Sequence, residues 1–249
     1  MPNELDFAYP WWLSYGHLIL AVVAGGLSVA VRRRTGWLVL FGALALWAVA
    51  SFAVTRFVLD FNGRGVMPTE SFLRSGTGRV LDMGAGTGRS SIMVLEARPK
   101  VTLVASDQFG RSYQQHFGAR VSPEERLRAN FLATGVADRA TIQRADMRAL
   151  PFGDGEFDAI VSAYAVDHLG NEGIGKALAE AARVAKPGGE FLLMLVAKDG
   201  WVKFTFGPIL LHNHTRGAEW WTARLAEAGF QVLEHGTRPA TLYLVSRKK

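Results

Sequence analysis

The stretch that decides the fold is residues 80–90, Val-Leu-Asp-Met-Gly-Ala-Gly-Thr-Gly-Arg-Ser. Its first two residues end an apolar run that is typical of a buried strand. The glycines at alternate positions, Gly84, Gly86 and Gly88, allow a tight turn and let a ligand approach bare backbone. A helix starting near Ser90 would point its N-terminal N–H groups at the same space. The stretch therefore predicts a ligand-binding turn between a strand and a helix.

The acid of this stretch, Asp82, argues against a dinucleotide. A dinucleotide fingerprint is Gly-x-Gly-x-x-Gly with its acid about 20 residues later. Here the spacing is Gly-x-Gly-x-Gly, and Asp82 comes before the first glycine. A carboxylate there would repel a pyrophosphate but could hold a cationic, amino-acid-bearing ligand. A nicotinamide-dependent oxidoreductase is therefore disfavoured.

Acids also follow the next two predicted strands. Val101–Ser106 leads to Asp107, and residues 141–145 lead to Asp146 and Met147. Ligands of open parallel sheets bind outside the carboxyl ends of the strands. Asp107 could accept both ribose hydroxyls of an adenosine, with a helix N-cap as the alternative. Asp146 could accept from the adenine amino group while Met147 packs on the ring, with ordinary loop positions as the alternative.

Two further motifs come next. Leu-Pro-Phe-Gly-Asp-Gly-Glu-Phe-Asp begins at Leu150, and Lys-Pro-Gly-Gly begins at Lys186. The order of the motifs over residues 70–198 closely resembles class I S-adenosylmethionine-dependent methyltransferases, in the subgroup that methylates quinones, lipids and other small molecules. The resemblance implies an α/β fold, with a Rossmann-like seven-stranded sheet that is mostly parallel and ends in an antiparallel hairpin. Within this fold we expect a fourth strand at Asp158–Ser162, a helix at Gly175–Ala185, a fifth strand at Glu190–Val196 and a short helix at Pro68–Arg74 over the cofactor mouth.

The resemblance also implies roles for matching positions. S-adenosylmethionine would be the donor and S-adenosylhomocysteine the product. The expected cofactor-binding residues are Asp82, Gly84, Ala85, Gly86, Gly88, Asp107, Gln108, Asp146, Met147 and Ala163. Many relatives have His-His after the fourth strand, whereas this chain has Asp167-His168, which leaves the acceptor open.

Methyl transfer needs a general base only if the acceptor must lose a proton. His168 is the first candidate for that role, with Asp167 orienting it or binding a cationic amine, and Tyr164 is the third catalytic candidate. Helix capping and packing in the cofactor pocket are the alternatives for these residues. Weaker candidates for the acceptor site are Tyr113, His116, His212 and His214.

The first 63 residues form a predicted membrane anchor. Two apolar segments, at about 11–31 and 35–57, are long enough to cross the hydrocarbon core and flank the turn Arg32–Arg34. A pair of buried core helices is the alternative. The positive-inside tendency would place the triple-arginine turn in the cytoplasm and the catalytic domain, residues 64–249, outside. Because S-adenosylmethionine is made and used in the cytoplasm, we expect the catalytic domain there instead. A second apolar stretch, Trp201–Leu211, is interpreted as a lid or a membrane-touching insertion.

Composition limits the remaining possibilities. The chain has 249 residues and no cysteine, which excludes disulfides, thiolate metal sites and cysteine nucleophiles. His212 and His214 are interpreted as loop or substrate-pocket residues and not as zinc ligands. The net charge of +6 is spread along the chain, so we expect anionic lipid and not nucleic acid as a partner. The oligomeric state is left open.

The preferred function is a membrane-anchored methyltransferase that acts on a lipophilic small molecule, such as an amine lipid, a quinone-like ring, a phenol or a thiol. The alternative is a catalytically silent S-adenosylmethionine-binding module within a membrane complex.

Overall fold

The computed structural model describes residues 5–110, 122–207 and 215–249. The chain divides into two compact units. The helix unit comprises Tyr9–Gly63 and Lys198–Asn213, and the sheet unit comprises Met1–Ala8, Arg64–Ala197 and His214–Lys249. The sequence predicted a single boundary at residue 63. The structure instead groups the first eight residues with the sheet, and the segment after residue 197 with the helices.

The elements are numbered in chain order over the described residues. The helices are α1 (Trp11–Ala30), α2 (Thr35–Val54), α3 (Arg89–Ala97), α4 (Pro123–Thr134), α5 (Asn171–Val184), α6 (Gly200–Phe206) and α7 (Ala218–Glu227). The strands are β1 (Thr77–Met83), β2 (Lys100–Asp107), β3 (Ala140–Arg144), β4 (Phe157–Ala163), β5 (Ala185–Val196), β6 (Phe230–Arg238) and β7 (Thr241–Lys248). A π-helical turn, Thr55–Leu59, continues α2.

The sheet has the strand order β3-β2-β1-β4-β5-β7-β6. Neighbouring strands from β3 to β5 are parallel, whereas β7 is antiparallel to both β5 and β6. The predicted seven-stranded, mostly parallel fold with a C-terminal hairpin is confirmed. Because β1 to β5 run in one direction, they end at one edge of the sheet, which we call the carboxyl edge.

The core of the sheet unit consists of large apolar side chains. The strands β1, β2, β4, β5 and β7 each contain a run of at least four consecutive buried residues, which is typical of strands covered on both faces. The largest fully buried side chains include Phe157, Phe191, Phe230 and Trp221. The rings of Phe191 on β5 and Phe230 on β6 lie 5.4 Å apart, a distance typical of packed aromatic pairs.

Helix α4 begins at a capping box formed by Ser122 and Glu125. The Ser122 hydroxyl accepts a hydrogen bond from the Glu125 N–H at 3.2 Å, and the Glu125 carboxylate accepts from the Ser122 N–H at 3.1 Å. This reciprocal capping box satisfies two N–H groups that have no partner within the helix. The helix ends at Gly135, whose φ of +69° is a conformation that glycine adopts without strain.

The predicted helix at Pro68–Arg74 is wrong. These residues form a bend and a turn in which Leu73 has a φ of +48°. The Glu190 carboxylate accepts from the Leu73 N–H at 2.6 Å, and the Arg98 guanidinium donates to the carbonyls of Phe72 and Leu73. Arg98 lies just before β2 begins, so the turn packs at the amino ends of the strands and not over the carboxyl edge.

The Lys-Pro-Gly-Gly motif is a bulge inside β5, which begins at Ala185 and not at Glu190 as predicted. Phe157 pairs with Ala185, and Ala159 already pairs with Glu190, so residues 186–189 loop out of the ladder. The Lys186 ammonium donates to the Asp158 carboxylate at 2.6 Å across this bulge.

In the helix unit, small and polar residues are buried and large apolar residues are exposed. The buried positions of α1 are Ser14, His17, Ala21 and Ala24. Those of α2 are Ala48, Ser51 and Val54. Two helices, Trp11–Ala30 and Thr35–Leu59, are long and apolar enough to cross a membrane, and only 17% and 22% of their apolar windows are buried.

Candidate functional site

Asp82 lies near the end of β1, where the parallel sheet is fully buried. Its side chain has no exposed surface. The hydroxyls of Ser90 and Ser91, in the first turn of α3, donate to one carboxylate oxygen, Oδ2, at 2.7 and 2.6 Å. The other oxygen, Oδ1, is buried and has no hydrogen-bond partner among the described residues. A buried acceptor without a donor is costly, so this atom is suited to a ligand that brings a donor or a cation.

Burial raises the pKa of Asp82 from its usual 3.8 to about 6, although the hydrogen bonds from Ser91 and Ser90 oppose the change. The nearby Asp107 raises the pKa further by charge repulsion. At neutral pH the side chain is an ionised carboxylate in a poorly solvated place. Such a charge attracts a cation strongly because few waters screen it.

The glycine turn is held against the end of β2. The N–H groups of Gly84 and Ala85 both donate to the Ser106 carbonyl, at 2.8 and 3.0 Å. The Gly86 N–H donates to the Asp107 carboxylate at 3.0 Å. The predicted residues Gly84, Ala85, Gly86 and Asp107 therefore lie together at the carboxyl edge.

Two glycines of the turn are required by close packing. Gly84 has a φ of +87°, and a Cβ there would lie 2.4 Å from the Ala165 Cβ and 2.9 Å from the Met147 Cε. Gly88 has a φ of +90°, and a Cβ there would lie 2.3 Å from the Leu127 Cδ1. The bare backbone at Gly84 thus brings three strand ends together, since Met147 follows β3 and Ala165 follows β4.

Asp107 and Asp146 already have partners in the protein. Asp107 also accepts from the Phe109 N–H at 2.8 Å. The Asp146 carboxylate binds the Arg148 guanidinium, with a shortest distance of 2.6 Å, and this hydrogen bond lowers the pKa of Asp146. Gln108, which is exposed, adds a weaker hydrogen bond to Asp146. An ionised carboxylate offers about four lone-pair directions, so each acid retains capacity for a ligand hydroxyl or amino group.

The ends of β4, β5 and β7 meet beside this turn. Ala163 ends β4, and Tyr164 follows with a φ of +54°, a strained value for a tyrosine. The Tyr164 N–H donates to the Met194 carbonyl of β5 at 2.9 Å, and its hydroxyl bonds the Thr241 hydroxyl at the start of β7. Held strain of this kind is typical of functional sites.

Asp167 and His168 lie in the short 3-10 turn Val166–His168. Burial raises the pKa of Asp167, an effect opposed by the charge of His168 and by backbone N–H groups. The Asp167 Oδ1 is buried without a hydrogen-bond partner in the described part of the chain, whereas the His168 side chain is exposed. Of the two, Asp167 is the more enclosed proton acceptor, and burial makes its carboxylate a stronger base than a solvent-exposed aspartate.

The N-terminal strap, residues 5–8, packs on the glycine turn, a contact that sequence reasoning missed. The Asn130 amide donates to the carbonyls of Asp6 and Thr87, both at 2.9 Å, and accepts from the Asp6 N–H at 3.0 Å. The Thr87 hydroxyl donates to the Phe7 carbonyl at 3.2 Å. Asn130 and Phe7 are both buried. The strap therefore supports the turn from the side of α4.

Other residues that were not predicted are Ser90, Ser91 and Ala165. The serines could have been predicted, since they lie in the first helical turn after the glycines, close enough for their hydroxyls to reach Asp82. The weaker acceptor-site candidates Tyr113, His116, His212 and His214 lie outside the described residues. Within the described ranges, no group of three or more histidine or acidic side chains is placed to hold a metal ion.

Comparison with known proteins agrees with this geometry. Residues 80–189, from the end of β1 into β5, match the methyltransferase domain family. This match is what the name methyltransferase domain refers to below. The match includes the glycine turn and all four acids discussed above.

The chain is similar to curated methyltransferases of three kinds. It is 30% identical over 115 residues to the sterol 4-C-methyltransferase strm-1 of Caenorhabditis elegans, which covers 45% of this chain and 29% of that protein. It is 32% identical to the tocopherol O-methyltransferase of Arabidopsis thaliana, and the match covers 47% of this chain and 29% of that protein. It is also 32% identical to the demethylmenaquinone methyltransferase of Mycobacterium tuberculosis, and that match covers 50% of this chain and 44% of that protein. The chain thus spans less than half the length of these relatives, and the methyltransferase domain accounts for the likeness.

Solved structures share the fold at low identity. An O-methyltransferase family protein from Burkholderia thailandensis superposes with a TM-score of 0.57 at 14% identity, covering 82% of this chain and 59% of that one. The [4+2]-cyclase SpnF superposes with a TM-score of 0.53 at 19% identity, covering 72% and 77%. The fold of the methyltransferase domain therefore also occurs in a protein named for another reaction, so function is argued from the site.

Proposed function

We propose that this protein is a membrane-anchored, S-adenosylmethionine-dependent methyltransferase that acts on a lipophilic small molecule. The observation that carries the proposal is the fully buried Asp82 carboxylate, which keeps one oxygen without a partner under the glycine turn of the methyltransferase domain. A sulfonium donor with an amino-acid moiety is a cation with N–H donors, which is what this oxygen lacks.

When bound, S-adenosylmethionine supplies a methyl group on a positively charged sulfur, ready for in-line displacement. The protein's task is to orient and to exclude water. Glycine is required at position 84 because any side chain there would collide with Ala165 and Met147, and this close packing would fix the course of the turn beside the donor. Asp107 ends β2, and Asp146 directly precedes Met147. Both carboxylates have lone pairs left for the ribose hydroxyls and the adenine amino group of the donor.

The acceptor would approach from the ends of β4 and β5. Asp167, whose pKa is raised by burial, or the exposed His168 would take a proton from an acceptor that must lose one. Tyr164 is held in a strained conformation at the same place and would line the acceptor space. Nitrogen, oxygen, carbon and sulfur acceptors are all compatible with this arrangement.

A lipophilic acceptor is supported by two observations. The curated relatives are named for sterol, tocopherol and demethylmenaquinone, which are all lipophilic. In addition, α1 and α2 expose large apolar side chains, such as Val22 at 69% and Leu46 at 74%, and bury small ones. A soluble core helix would bury those side chains, whereas a membrane helix presents them to lipid. Two spans would keep the domain where apolar acceptors partition.

The test uses the full chain in lipid nanodiscs. Isothermal titration should show binding of S-adenosylmethionine and S-adenosylhomocysteine, and the Asp82→Asn variant should bind the donor at least tenfold more weakly while keeping the wild-type circular dichroism spectrum. Radiolabelled methyl groups should enter a component of the native lipid extract. Undiminished affinity in the variant would overturn the assignment of Asp82.

The alternative, a silent binding module in a membrane complex, predicts a different result. It gives tight donor binding but no label in lipid or aqueous extracts. The occurrence of the same fold in a [4+2]-cyclase makes this outcome worth measuring. Protease added outside spheroplasts should leave the methyltransferase domain intact if that domain faces the cytoplasm, as we propose.

A further inference from the structure

Arg216, just before α7 in the sheet unit, has a guanidinium that the fold holds in place. Its Nη2 donates to the Asn171 Oδ1. The guanidinium carbon lies 4.2 Å from the centroid of the Trp220 ring, within the range of a cation–π contact. The Trp220 ring meets the Trp221 ring edge-on at 4.8 Å, and Trp221 is buried. The guanidinium is therefore positioned by the core of the sheet unit.

Arg216 lies at the carboxyl edge, beside the candidate acceptor site. Its partner Asn171 is the first residue of α5 and comes three residues after His168. This part of the chain follows the end of β4, as Tyr164 and Asp167 do. The structure thus brings a cation to the strand ends from which the acceptor would approach.

The Arg216 guanidinium has donors to spare. A guanidinium carries five N–H donors. In the described part of the chain, Asn171 is the one hydrogen-bond partner of Arg216, and no carboxylate oxygen lies within 4.0 Å of it. Arg224, which also lies over the Trp220 ring, at 5.5 Å, instead pairs with the Glu227 carboxylate at 2.8 Å. A half-buried cation without a carboxylate partner is suited to an anionic group of a ligand.

Asp167 supplies the complementary group. Its Oδ1 is buried and lacks a donor among the residues that the structure describes. Burial raises the pKa of Asp167, and the charge of Arg216 opposes this rise together with His168 and backbone N–H groups, so the two side chains are near each other. They form no ion pair, since their nitrogen and oxygen atoms lie more than 4.0 Å apart. The carboxylate and the guanidinium are thus neighbours that leave each other unsatisfied.

A hydroxyl group is the ligand that can satisfy both side chains. Its proton can be donated to the Asp167 carboxylate, one oxygen lone pair can accept from Arg216, and another remains for attack on a methyl group. A neutral amine has a single lone pair, which must attack, so it would leave the guanidinium without an acceptor. A thiol sulfur is a weak acceptor. The pair therefore favours oxygen over nitrogen and sulfur.

We propose that Arg216 and Asp167 bind the hydroxyl group of a phenol or an enol, and that the lipophilic acceptor is methylated on this oxygen. The proposal rests on the proposed function and names the acceptor atom that the function leaves open. The Asp167 carboxylate takes the hydroxyl proton, and an oxygen lone pair forms the bond to the methyl carbon. The carbon–sulfur bond breaks, and its electrons remain on sulfur as a neutral thioether.

The acidity of the hydroxyl limits the acceptor class. A phenol such as the tyrosine side chain has a pKa of about 10. An alkyl hydroxyl is closer to water, whose pKa is about 16, so a carboxylate is a poor base for it. Arg216 stabilises the negative charge that develops on the oxygen, which favours acceptors whose oxygen carries that charge readily.

The experiment uses the full chain in lipid nanodiscs and two probes that differ in one group, para-nonylphenol and para-nonylaniline. The wild type should transfer labelled methyl groups to the phenol at least tenfold faster than to the aniline. Arg216→Gln should lower kcat/KM for the phenol at least tenfold, and Arg216→Lys, which keeps the charge but not the fork of donors, by about threefold. The dissociation constant for S-adenosylmethionine should stay within twofold.

Arg224→Gln is the matched control, because it removes the other cation over the Trp220 ring and should leave all these values within twofold. Asp167→Asn should also lower phenol turnover at least tenfold, and the double variant with Arg216→Gln should lose less than the product of the two effects, since both residues act on one oxygen. Losses that multiply would contradict the shared oxygen.

A purely structural role for Arg216 predicts a parallel loss of donor affinity or unchanged phenol turnover, and either result would overturn the proposal. If the wild type labels neither probe, the labelled product of a total lipid extract is identified. A methyl ether of a phenol or an enol supports the proposal, and any other product overturns it while the proposed function stands. A protein that bound no donor, or labelled nothing, would contradict the proposed function itself.

Discussion

The sheet unit and the helix unit distribute their side chains in opposite ways. The sheet unit buries Phe157, Phe191 and Trp221. The helix unit buries Ser14, Ala24 and Ser51 and exposes large apolar side chains. Burial of large apolar surface is favourable only when the alternative is water. This opposite distribution is what the proposed membrane anchor predicts for a helix unit solvated by lipid beside a sheet unit solvated by water.

The same difference appears at helix ends. Helix α4 of the sheet unit starts with a capping box and has two acids in its first turn. Helices α1 and α2 have no side-chain hydrogen bond at their N-caps, Pro10 and Arg34, and no acid in the first turn. A helix in water competes with solvent for its terminal N–H groups, so a cap stabilises it. Long apolar helices in lipid remain helical because unpaired backbone groups are unfavourable there.

The largest expected effect comes from one substitution made in both units. Leu46, near the middle of α2, is 74% exposed, and Leu132 on α4 is 66% exposed. Leu46→Lys should disfavour membrane insertion by about 3 kcal/mol, the cost of a lysine at the centre of a spanning helix. Leu132→Lys should change the free energy of unfolding by no more than about 0.5 kcal/mol, as is usual for a surface position.

Carbonate extraction and glycosylation mapping measure the insertion of the Leu46→Lys variant, and denaturant unfolding measures the Leu132→Lys variant. Equal, small effects at both positions would mean that water solvates both units, which would contradict the membrane assignment.

Asp82 and Asp158, both in the sheet unit, have pKa values that are shifted in opposite directions. Burial raises the pKa of Asp82 from 3.8 to about 6. Burial alone would also raise the pKa of Asp158, but hydrogen bonds from the Arg79 N–H and from Lys186 outweigh it and lower that pKa. Ionisation of Asp82 therefore destabilises the ligand-free fold as the pH rises through the interval from 3.8 to 6, whereas ionisation of Asp158 stabilises it.

The expected measurement is the difference in unfolding free energy between variant and wild type as a function of pH. Between pH 3.5 and 7, the wild type should lose about 3 kcal/mol of unfolding free energy relative to Asp82→Asn, since a pKa shift of one unit corresponds to about 1.4 kcal/mol. Relative to Asp158→Asn, the wild type should gain unfolding free energy as the pH rises. The affinity for S-adenosylmethionine should fall as the pH drops below about 6, where Asp82 becomes protonated. A flat profile for Asp82→Asn would contradict the buried charge.

The family resemblance predicted the sheet, and local patterns predicted the glycine turn. The glycines at 84, 86 and 88 all have positive φ, and the helix predicted to start near Ser90 begins at Arg89. These predictions succeed because turns and caps depend on neighbours in the chain. The placement of the acids at strand ends follows from the parallel order of the sheet.

Contacts between distant residues could not be predicted in this way. The strap and α6 depend on the pairs Asp6–Asn130 and His17–Thr205, which are 124 and 188 residues apart. Neither segment has a periodic pattern that indicates its partner. At Pro68–Arg74 the local signal was overridden, because Glu190 and Arg98 hold Leu73 in a conformation that ends a helix. The roles of His168, Asp167 and Tyr164 remain predictions.

The strap offers a smaller test of how the sheet unit supports its site. Asn130→Ala removes three hydrogen bonds to backbone groups of Asp6 and Thr87. We expect about a tenfold loss of S-adenosylmethionine affinity by titration calorimetry, because Thr87 belongs to the glycine turn. Asn62→Ala is the control, since Asn62 donates to Ser14 at 3.3 Å within the helix unit and should leave the affinity unchanged. Equal affinities for wild type and Asn130→Ala would show that the turn does not depend on the strap.

The smallest expected effect concerns the N-terminal ends of α4 and α1. Ser122→Ala removes the hydroxyl that accepts from the Glu125 N–H, and should lower the free energy of unfolding of the sheet unit by about 1 kcal/mol. Pro10→Ala, at the uncapped start of α1, should leave the stability of the inserted hairpin unchanged within about 0.5 kcal/mol, because no side-chain cap is lost there. Chemical denaturation of the protein in nanodiscs, followed by hydrogen exchange in α4 and α1, measures both. If Pro10→Ala destabilised α1 as much as Ser122→Ala destabilised α4, the start of α1 would behave as a helix end in water, and the proposed spans would have to be redrawn.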